Sequence, residues 1–125
     1  MLGKPTAKQQ SYYQAIKEGE EQALDLLRPG ARAAEIFEKT VKKVRQAGIP
    51  HYQRSHVGHG IGIECYDMPF LNLSSGHTLE EGMVVNVETP YYELGFGGLQ
   101  VEDTAVITKT GYRLLTKSKR DLFVL

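Results

Sequence analysis

The three-and-four spacing of apolar residues stops at Pro50 and does not return, and this boundary constrains the fold more than any other feature of the chain. Upstream, Tyr12, Ile16, Ala23, Leu24 and Leu27 form a broken apolar stripe. It is opened by Thr6 and Gln9, the spacing of a capping box. Gly19 interrupts this helix at a cost of about 1 kcal/mol relative to alanine. Pro29 and Gly30 stop it. A second helix is predicted from Ala33, Phe37, Val41, Val44 and Ala47, ended by Gly48 and Pro50. Lys39, Lys42, Lys43 and Arg45 decorate the rest of it and read as a solvated face near the helix C-terminus, where cations suit the dipole.

Downstream of Pro50 the texture is that of strands. Residues 51–62 are rich in His and Gly and extended in character, while 68–82 read as a loop. Residues 83–87 are a nearly continuous apolar run with three valines, as in a strand covered on both faces. A Pro- and Gly-rich link leads to a β-branched strand over 99–107. A turn at 108–111 and a short strand over 112–115 follow. Two N-terminal helices followed by an antiparallel sheet define an α+β class. There is no internal repeat and no low-complexity segment.

A length of 125 residues argues for one domain. Lys plus Arg and Asp plus Glu both number 15, so no excess basic charge draws in nucleic acid or a membrane surface. Cys65 is the single cysteine, which excludes an internal disulfide and fits a reducing compartment. No apolar run approaches the roughly 20 residues of a membrane span, and the N-terminus lacks the order of a signal peptide. A cytoplasmic location is the expectation.

Three features bear on chemistry. Gly58-His59-Gly60-Ile61-Gly62 places an uncrowded imidazole between glycines that let the backbone approach closely. Taken alone, it suits a turn as well as a ligand site. Glu88 ends the valine strand, and a carboxylate buried there needs a partner or a metal. The plainer reading puts it just past the strand end, in water. Glu102 shares a strand face with Gln100, Thr104 and Val106, opposite Val101, Asp103, Ala105 and Ile107. That polar stripe reads first as a solvent face. If the two strands are neighbours, however, Glu88 and Glu102 lie side by side, with His59 delivered from the preceding loop. Paired carboxylates repel unless a proton or cation lies between them. One imidazole and two carboxylates suit Mn, Fe, Co or Zn, but they are too few for a two-metal hydrolytic centre.

The same residues resemble a known family, the M24 metallopeptidases. Gly58-His59-Gly60-Ile61-Gly62-Ile63-Glu64 resembles that family's Gly-His-Gly-Ile-Gly-Leu-Glu stretch. Residues 79–88 are similar to its Leu-x-x-Gly-Met-Val strand ending in Glu, and 98–104 to its Glu-Asp-Thr strand. Leu27-Arg28-Pro29-Gly30 resembles the joint between its two helices. Together these motifs span most of the chain, in the style of the prolidase and aminopeptidase P branch. The resemblance implies the C-terminal half of a pita-bread catalytic domain, with residues 1–125 as a single partial catalytic domain.

It also implies a dinuclear site of two aspartates, one histidine and two glutamates, loaded with a divalent metal (Mn, Co, Zn or Fe). His59, Glu88 and Glu102 match the last three ligands. The two aspartates of the family come from a hairpin before the first helix, and no residue of this chain matches them. Glu88 matches the proton-shuttling glutamate, and His56 is the second catalytic candidate. His56, Tyr66 and Gln100 are the candidate substrate-binding residues. Tyr66 stands where the peptidases carry a second histidine, and Gln100 where aminopeptidase P carries an arginine. Thr89-Pro90 replaces a Pro-Gly pair, and His56 lies three residues before His59 where many prolidases place a histidine four before.

The function so implied is metal-dependent hydrolysis of short peptides, of Xaa-Pro type, by a complete domain, with this chain inactive by itself. The alternatives are a non-catalytic pita-bread binding module and a truncated fragment. Retention of His59, Glu88 and Glu102 together favours an enzymatic origin, since a pure binding module needs no such set. A lone half leaves an open sheet edge and an uncovered face. A homodimer, with the second copy in place of the missing half, is therefore the expected assembly.

Overall fold

The computed structural model describes Met1 and residues 3–125. Helix α1 (Ala7–Asp25) begins at Thr6, whose hydroxyl accepts from the Gln9 backbone N–H while the Gln9 side chain accepts from the Thr6 N–H. Helix α2 (Ala33–Ala47) ends at Gly48, whose positive φ lets its N–H reach the Val44 carbonyl. The joint between them is pinned from outside. Gly30 N–H donates to Leu79 O (2.8 Å), Ala33 N–H to His77 O (3.0 Å), and Leu79 N–H to Ala31 O (2.9 Å).

Gly19 has a reason that propensity did not supply. A Cβ built there would lie 2.2 Å from Val44 Cγ2, so the two helices cross in contact at this glycine. The apolar face of α2 is also turned from the predicted one: Ala33, Ile36, Thr40, Val41 and Val44 are buried, while Phe37 and Ala47 lie at its margin. Of the four basic residues on α2, Lys39 and Lys43 pair with Glu35 and Glu18, and Arg45 donates to the Tyr52 carbonyl.

The strands are β1 (Gly58–Gly60), β2 (Asp67–Phe70), β3 (Val84–Glu88), β4 (Tyr91–Glu93), β5 (Gly97–Leu99), β6 (Glu102–Ile107) and β7 (Tyr112–Leu114). Five form one antiparallel sheet in the order β2-β1-β3-β6-β7, and β4 and β5 form a separate hairpin. Two parts of this differ from the reading of the sequence. The stretch read as a loop over 68–82 begins with strand β2, whose Pro69 and exposed Met68 disguise it. The strand read over 99–107 is two, broken at Gln100 and Val101, because its first residues belong to the hairpin.

One face of the sheet carries the core. Val85, Val87, Ala105 and Ile107 pack with Ile16, Leu24, Ile36 and Val44 of the helices, all of them buried. Each of these Val, Leu and Ile side chains contributes about 1.5–3 kcal/mol of burial. Thr89, just past β3, is tied to α1 by donation from its hydroxyl to Ile16 O (2.8 Å). The other face of β3 and β6 presents Asn86, Glu88, Glu102 and Thr104, and the helices do not cover it. The two helices back one face of the sheet; on the other, Asn86 and Glu88 are buried and Glu102 is exposed.

Candidate functional site

Register places the polar residues. In the antiparallel pairing of β1, β3 and β6, His59 lies opposite Asn86, Asn86 opposite Thr104, and Glu88 opposite Glu102. His59 is therefore one step diagonally from Glu88, on a strand and not on a loop. The glycines flanking it have a definite role. A Cβ at Gly58 would meet Asn86 O at 2.2 Å, and one at Gly60 would meet Met68 O at 2.1 Å. The backbones of β3 and β2 press on the chain on either side of His59, and only glycine admits them.

His59 is buried, and its Nδ1–H donates to the Gly60 carbonyl at 2.9 Å. That bond fixes the tautomer and leaves Nε2 with a free lone pair, the usual arrangement of a histidine ready to bind a metal. Tyr66 stacks on the imidazole, with ring centroids 4.1 Å apart and planes 30° apart. His56 stands beyond, its ring 6.3 Å from those of both His59 and Tyr66.

Glu88 is buried, not solvated. Its Oε1 lies 2.8 Å from His56 Nε2, close enough for an ion pair with protonated His56 but off the hydrogen-bond direction. An Arg54 terminal nitrogen is 4.0 Å away. Glu102 is exposed and takes hydrogen bonds from two amides, Asn86 Nδ2 and Gln100 Nε2. Thr104 donates to Asn86 Oδ1 (2.9 Å) and so orients the Asn86 amide toward Glu102. Tyr92 donates to Gln100 Oε1 (3.3 Å), which links the hairpin to the same string.

The candidates His56, His59, Tyr66, Glu88, Gln100 and Glu102 thus gather on one face around β1, β3 and β6. As placed, no three His, Cys, Asp or Glu side chains among the described residues surround a common point where a metal would sit. The donor chemistry nonetheless fits a divalent ion. One imidazole has its second nitrogen tied to a carbonyl, and two carboxylates stand on directly opposed backbone positions.

Two groups went unread in the sequence. Arg54 and Asn86 both touch the carboxylate pair, and Asn86 had a signal, as a polar residue alternating with Glu88 inside a valine strand. The second group lies behind the sheet. Asp103 is buried against Arg120 and Thr116, and near it stands Glu20, fully buried on α1 with neither carboxylate oxygen in a well-formed hydrogen bond among the described residues. Burial first, and then the Asp103 charge, push the Glu20 pKa well above the ordinary carboxylate range.

Helices, sheet order and open site face together are those of half a pita-bread fold, the class to which the metal-dependent peptidases of this architecture belong. The chain belongs to metallopeptidase family M24, which matches it over residues 1–109. It is 32% identical over 122 residues to the Xaa-Pro dipeptidase of Pyrococcus furiosus, a match covering 98% of this chain and 35% of that protein. With the Xaa-Pro dipeptidase of Lactobacillus delbrueckii subsp. lactis the identity is 34% over 123 residues, covering 98% and 33%. The solved structure of an Xaa-Pro dipeptidase from Bacillus anthracis superposes with a TM-score of 0.93 at 31% identity, over 99% of this chain and 35% of that one. The N-terminal domain of the chickpea FACT subunit SPT16 shares the fold alone, at a TM-score of 0.84 and 22% identity. The chain spans about a third of the length of the curated relatives it matches. Among the described residues, no helix is long and apolar enough to cross a membrane.

Proposed function

We propose that this chain supplies the histidine and two glutamates of a metal centre that hydrolyses short peptides of Xaa-Pro type, acting as part of a complete M24 domain. Residues 1–125 are then one partial catalytic domain, its C-terminal half. The carrying observation is the direct opposition of Glu88 and Glu102 beside a His59 whose Nδ1–H is already committed to Gly60. Rotation of the two glutamate side chains, with no change of strand register, would be needed to bring their oxygens to one ion shared with His59 Nε2. His59, Glu88 and Glu102 would hold a divalent ion, Mn, Co, Zn or Fe, which would supply Lewis acidity there. Glu88 would take up and return the proton of the attacking water, with His56, whose Nε2 stands 2.8 Å from Glu88 Oε1 before that rotation, as the neighbouring base. Tyr66 keeps the His59 ring in its plane and walls the substrate side, and Gln100 holds Glu102 and faces the peptide.

The open polar face between β3 and β6 is where a second half-domain would dock. In the isolated chain a second copy takes that place, giving a homodimer. Sedimentation at micromolar concentration is expected to show a dimer, and a monomer removes this part of the proposal.

Calorimetric titration with Mn or Zn tests the centre. The chain should take up no more than one ion, weakly, because three ligands make one open site. It should not hydrolyse Xaa-Pro dipeptides above background. Two tight ions per chain, or turnover abolished by Glu88→Gln, would show a self-sufficient enzyme instead. No metal uptake at all, with His59 unaffected in its NMR signals, would favour a non-catalytic pita-bread module.

A further inference from the structure

The β4–β5 hairpin lies in sequence between Glu88 and Glu102 and forms its own two-stranded sheet, apart from the other five strands. A lone two-stranded hairpin is marginal in water, so its position depends on what it leans against. Its base is tied where the Thr89 N–H donates to Val101 O (3.1 Å). Beyond the base it meets α1 through aromatic rings. Tyr12 contacts the Tyr91 ring edge-on, with centroids 5.1 Å apart, and its ring lies 5.6 Å from that of Phe96. Leu94 at the tip is fully exposed and anchors nothing.

Lys8, in the first turn of α1, closes this contact. Its Nζ lies 2.7 and 3.0 Å from the two oxygens of Glu93 on β4. The same ammonium stands 5.1 Å from the Tyr12 ring centroid and 4.9 Å from that of Phe96. An exposed ion pair by itself contributes little. This one engages both carboxylate oxygens, rests on two aromatic rings and joins residues 85 positions apart. Glu93 is fixed from a second side by Tyr91, whose hydroxyl donates to Oε2 (2.6 Å) and lies 2.8 Å from His51 Nε2. The bonds from Lys8 and then Tyr91 hold the Glu93 pKa below the ordinary carboxylate value, which keeps the pair charged at neutral pH.

The hairpin also reaches the candidate metal ligands. Tyr92 alternates with Tyr91 and Glu93 along β4. It donates to Gln100 Oε1 (3.3 Å), and Gln100 Nε2 donates to Glu102 Oε2. The other Glu102 oxygen is held independently, by Asn86 of β3. Groups that hydrogen-bond a ligating carboxylate set its orientation and the affinity for its metal. We propose that Lys8 is a positioning residue for Glu102: it clasps the β4–β5 hairpin to α1, and the hairpin, through Tyr92 and Gln100, fixes one oxygen of the Glu102 carboxylate. The proposal rests on the peptidase reading above.

Lys8→Met keeps the aliphatic stem and removes the charge, whereas Lys8→Arg keeps both the charge and the contact with the rings. Lys43→Met is the control, because it deletes an exposed pair between the two helices, Lys43 Nζ to Glu18 Oε2 at 2.9 Å. In the full isotope-labelled chain without metal, Lys8→Met should shift the NMR signals of the Gln100 side-chain amide. It should also speed hydrogen exchange in the hairpin while leaving β6 and β7 unchanged. Lys8→Arg should restore the parent signals, and Glu93→Gln should repeat the Lys8→Met pattern. In zinc titrations the Kd of Lys8→Met should lie about two- to fivefold above that of the parent and of Lys8→Arg. Unchanged Gln100 signals in Lys8→Met, equal shifts in Lys43→Met, or equal zinc affinity of parent and Lys8→Met would overturn the proposal. No zinc uptake by any of these proteins would defeat the metal centre alone, and the Gln100 signals would still decide the clasp.

Discussion

Glu88 and Glu102 are directly opposed residues of adjacent antiparallel strands, and the groups that answer their charges stand apart: His56 and Arg54 at Glu88, the Asn86 and Gln100 amides at Glu102. Like charges in that position destabilise a sheet by roughly 0.2–1 kcal/mol. The pair is therefore a poor choice for stability and a good one for holding a cation.

This trade can be measured with Glu102→Gln. In a chelator, the variant should lie within about 1 kcal/mol of the parent, since relief of repulsion offsets the lost charge-assisted hydrogen bonds. With zinc or manganese at tenfold excess over Kd, the parent should gain about 1.4 kcal/mol and the variant almost nothing. Thermal or urea denaturation with and without metal reads the difference. Equal gains by both proteins would move the ion to another site.

A second prediction concerns the helix crossing. Gly19→Ala improves helix propensity by about 1 kcal/mol, yet its Cβ would meet Val44 Cγ2 at 2.2 Å. Overpacking should win, for a net loss of about 1–2 kcal/mol. Val44→Ala costs stability alone but should restore part of the loss in the double variant. A double-mutant cycle by urea denaturation gives the coupling, and additivity within 0.3 kcal/mol would argue that the helices shift apart freely.

Arg120 carries a third. Its Nε donates to the buried carboxylate of Asp103, and Thr116 donates to the other oxygen, so residues 116–120 are fastened to β6. Arg120→Ala should cost about 2 kcal/mol, because Asp103 keeps its burial and loses its cation. Hydrogen exchange should accelerate in the tail, where Leu125 N–H donates to Met1 O and Gly3 N–H to Leu125 O. Unchanged exchange there would show that the tail is held without the Arg120–Asp103 contact.

How far the sequence carried these conclusions depended on whether the signal was local. Thr6 with Gln9, Pro29-Gly30 and Gly48 announce the helix ends through backbone chemistry that needs no tertiary context. The alternation around Glu102 gave the correct strand faces for the same reason. Strand β2 was missed because Pro69 and an exposed Met68 hide a strand whose pairing to β1 is a long-range choice. The glycines around His59 were legible as a demand for close approach, but not that the backbones of β3 and β2 are what approach. Arg54 and Glu20 were invisible for a different reason: each is ordinary in its own segment, and only the fold takes its polar atoms out of water.

Glu20 leads to the last prediction. It is fully buried on α1, and its oxygens have no well-formed hydrogen bond among the described residues; its pKa is raised by burial and by the Asp103 charge, with Arg120 and the nearby Asp103 backbone N–H opposing and Glu102 adding to the rise. The folded chain therefore holds this proton more tightly than the unfolded chain does. Stability linked to it is fully present below the ordinary glutamate pKa and is lost as the pH climbs toward the raised folded value. Through that window the loss approaches about 1.4 kcal/mol per pH unit. Glu20→Gln keeps the volume and removes the titration. The variant should therefore be more stable than the parent at pH 7, by an amount that shrinks as the pH falls toward 5. Glu20→Ala should instead lose stability at every pH, because it leaves a cavity behind β6. Urea denaturation of the three proteins between pH 5 and 8 reads both effects. Parallel curves for parent and Glu20→Gln would mean that Glu20 titrates alike in the folded and unfolded chain, against the effect of its burial.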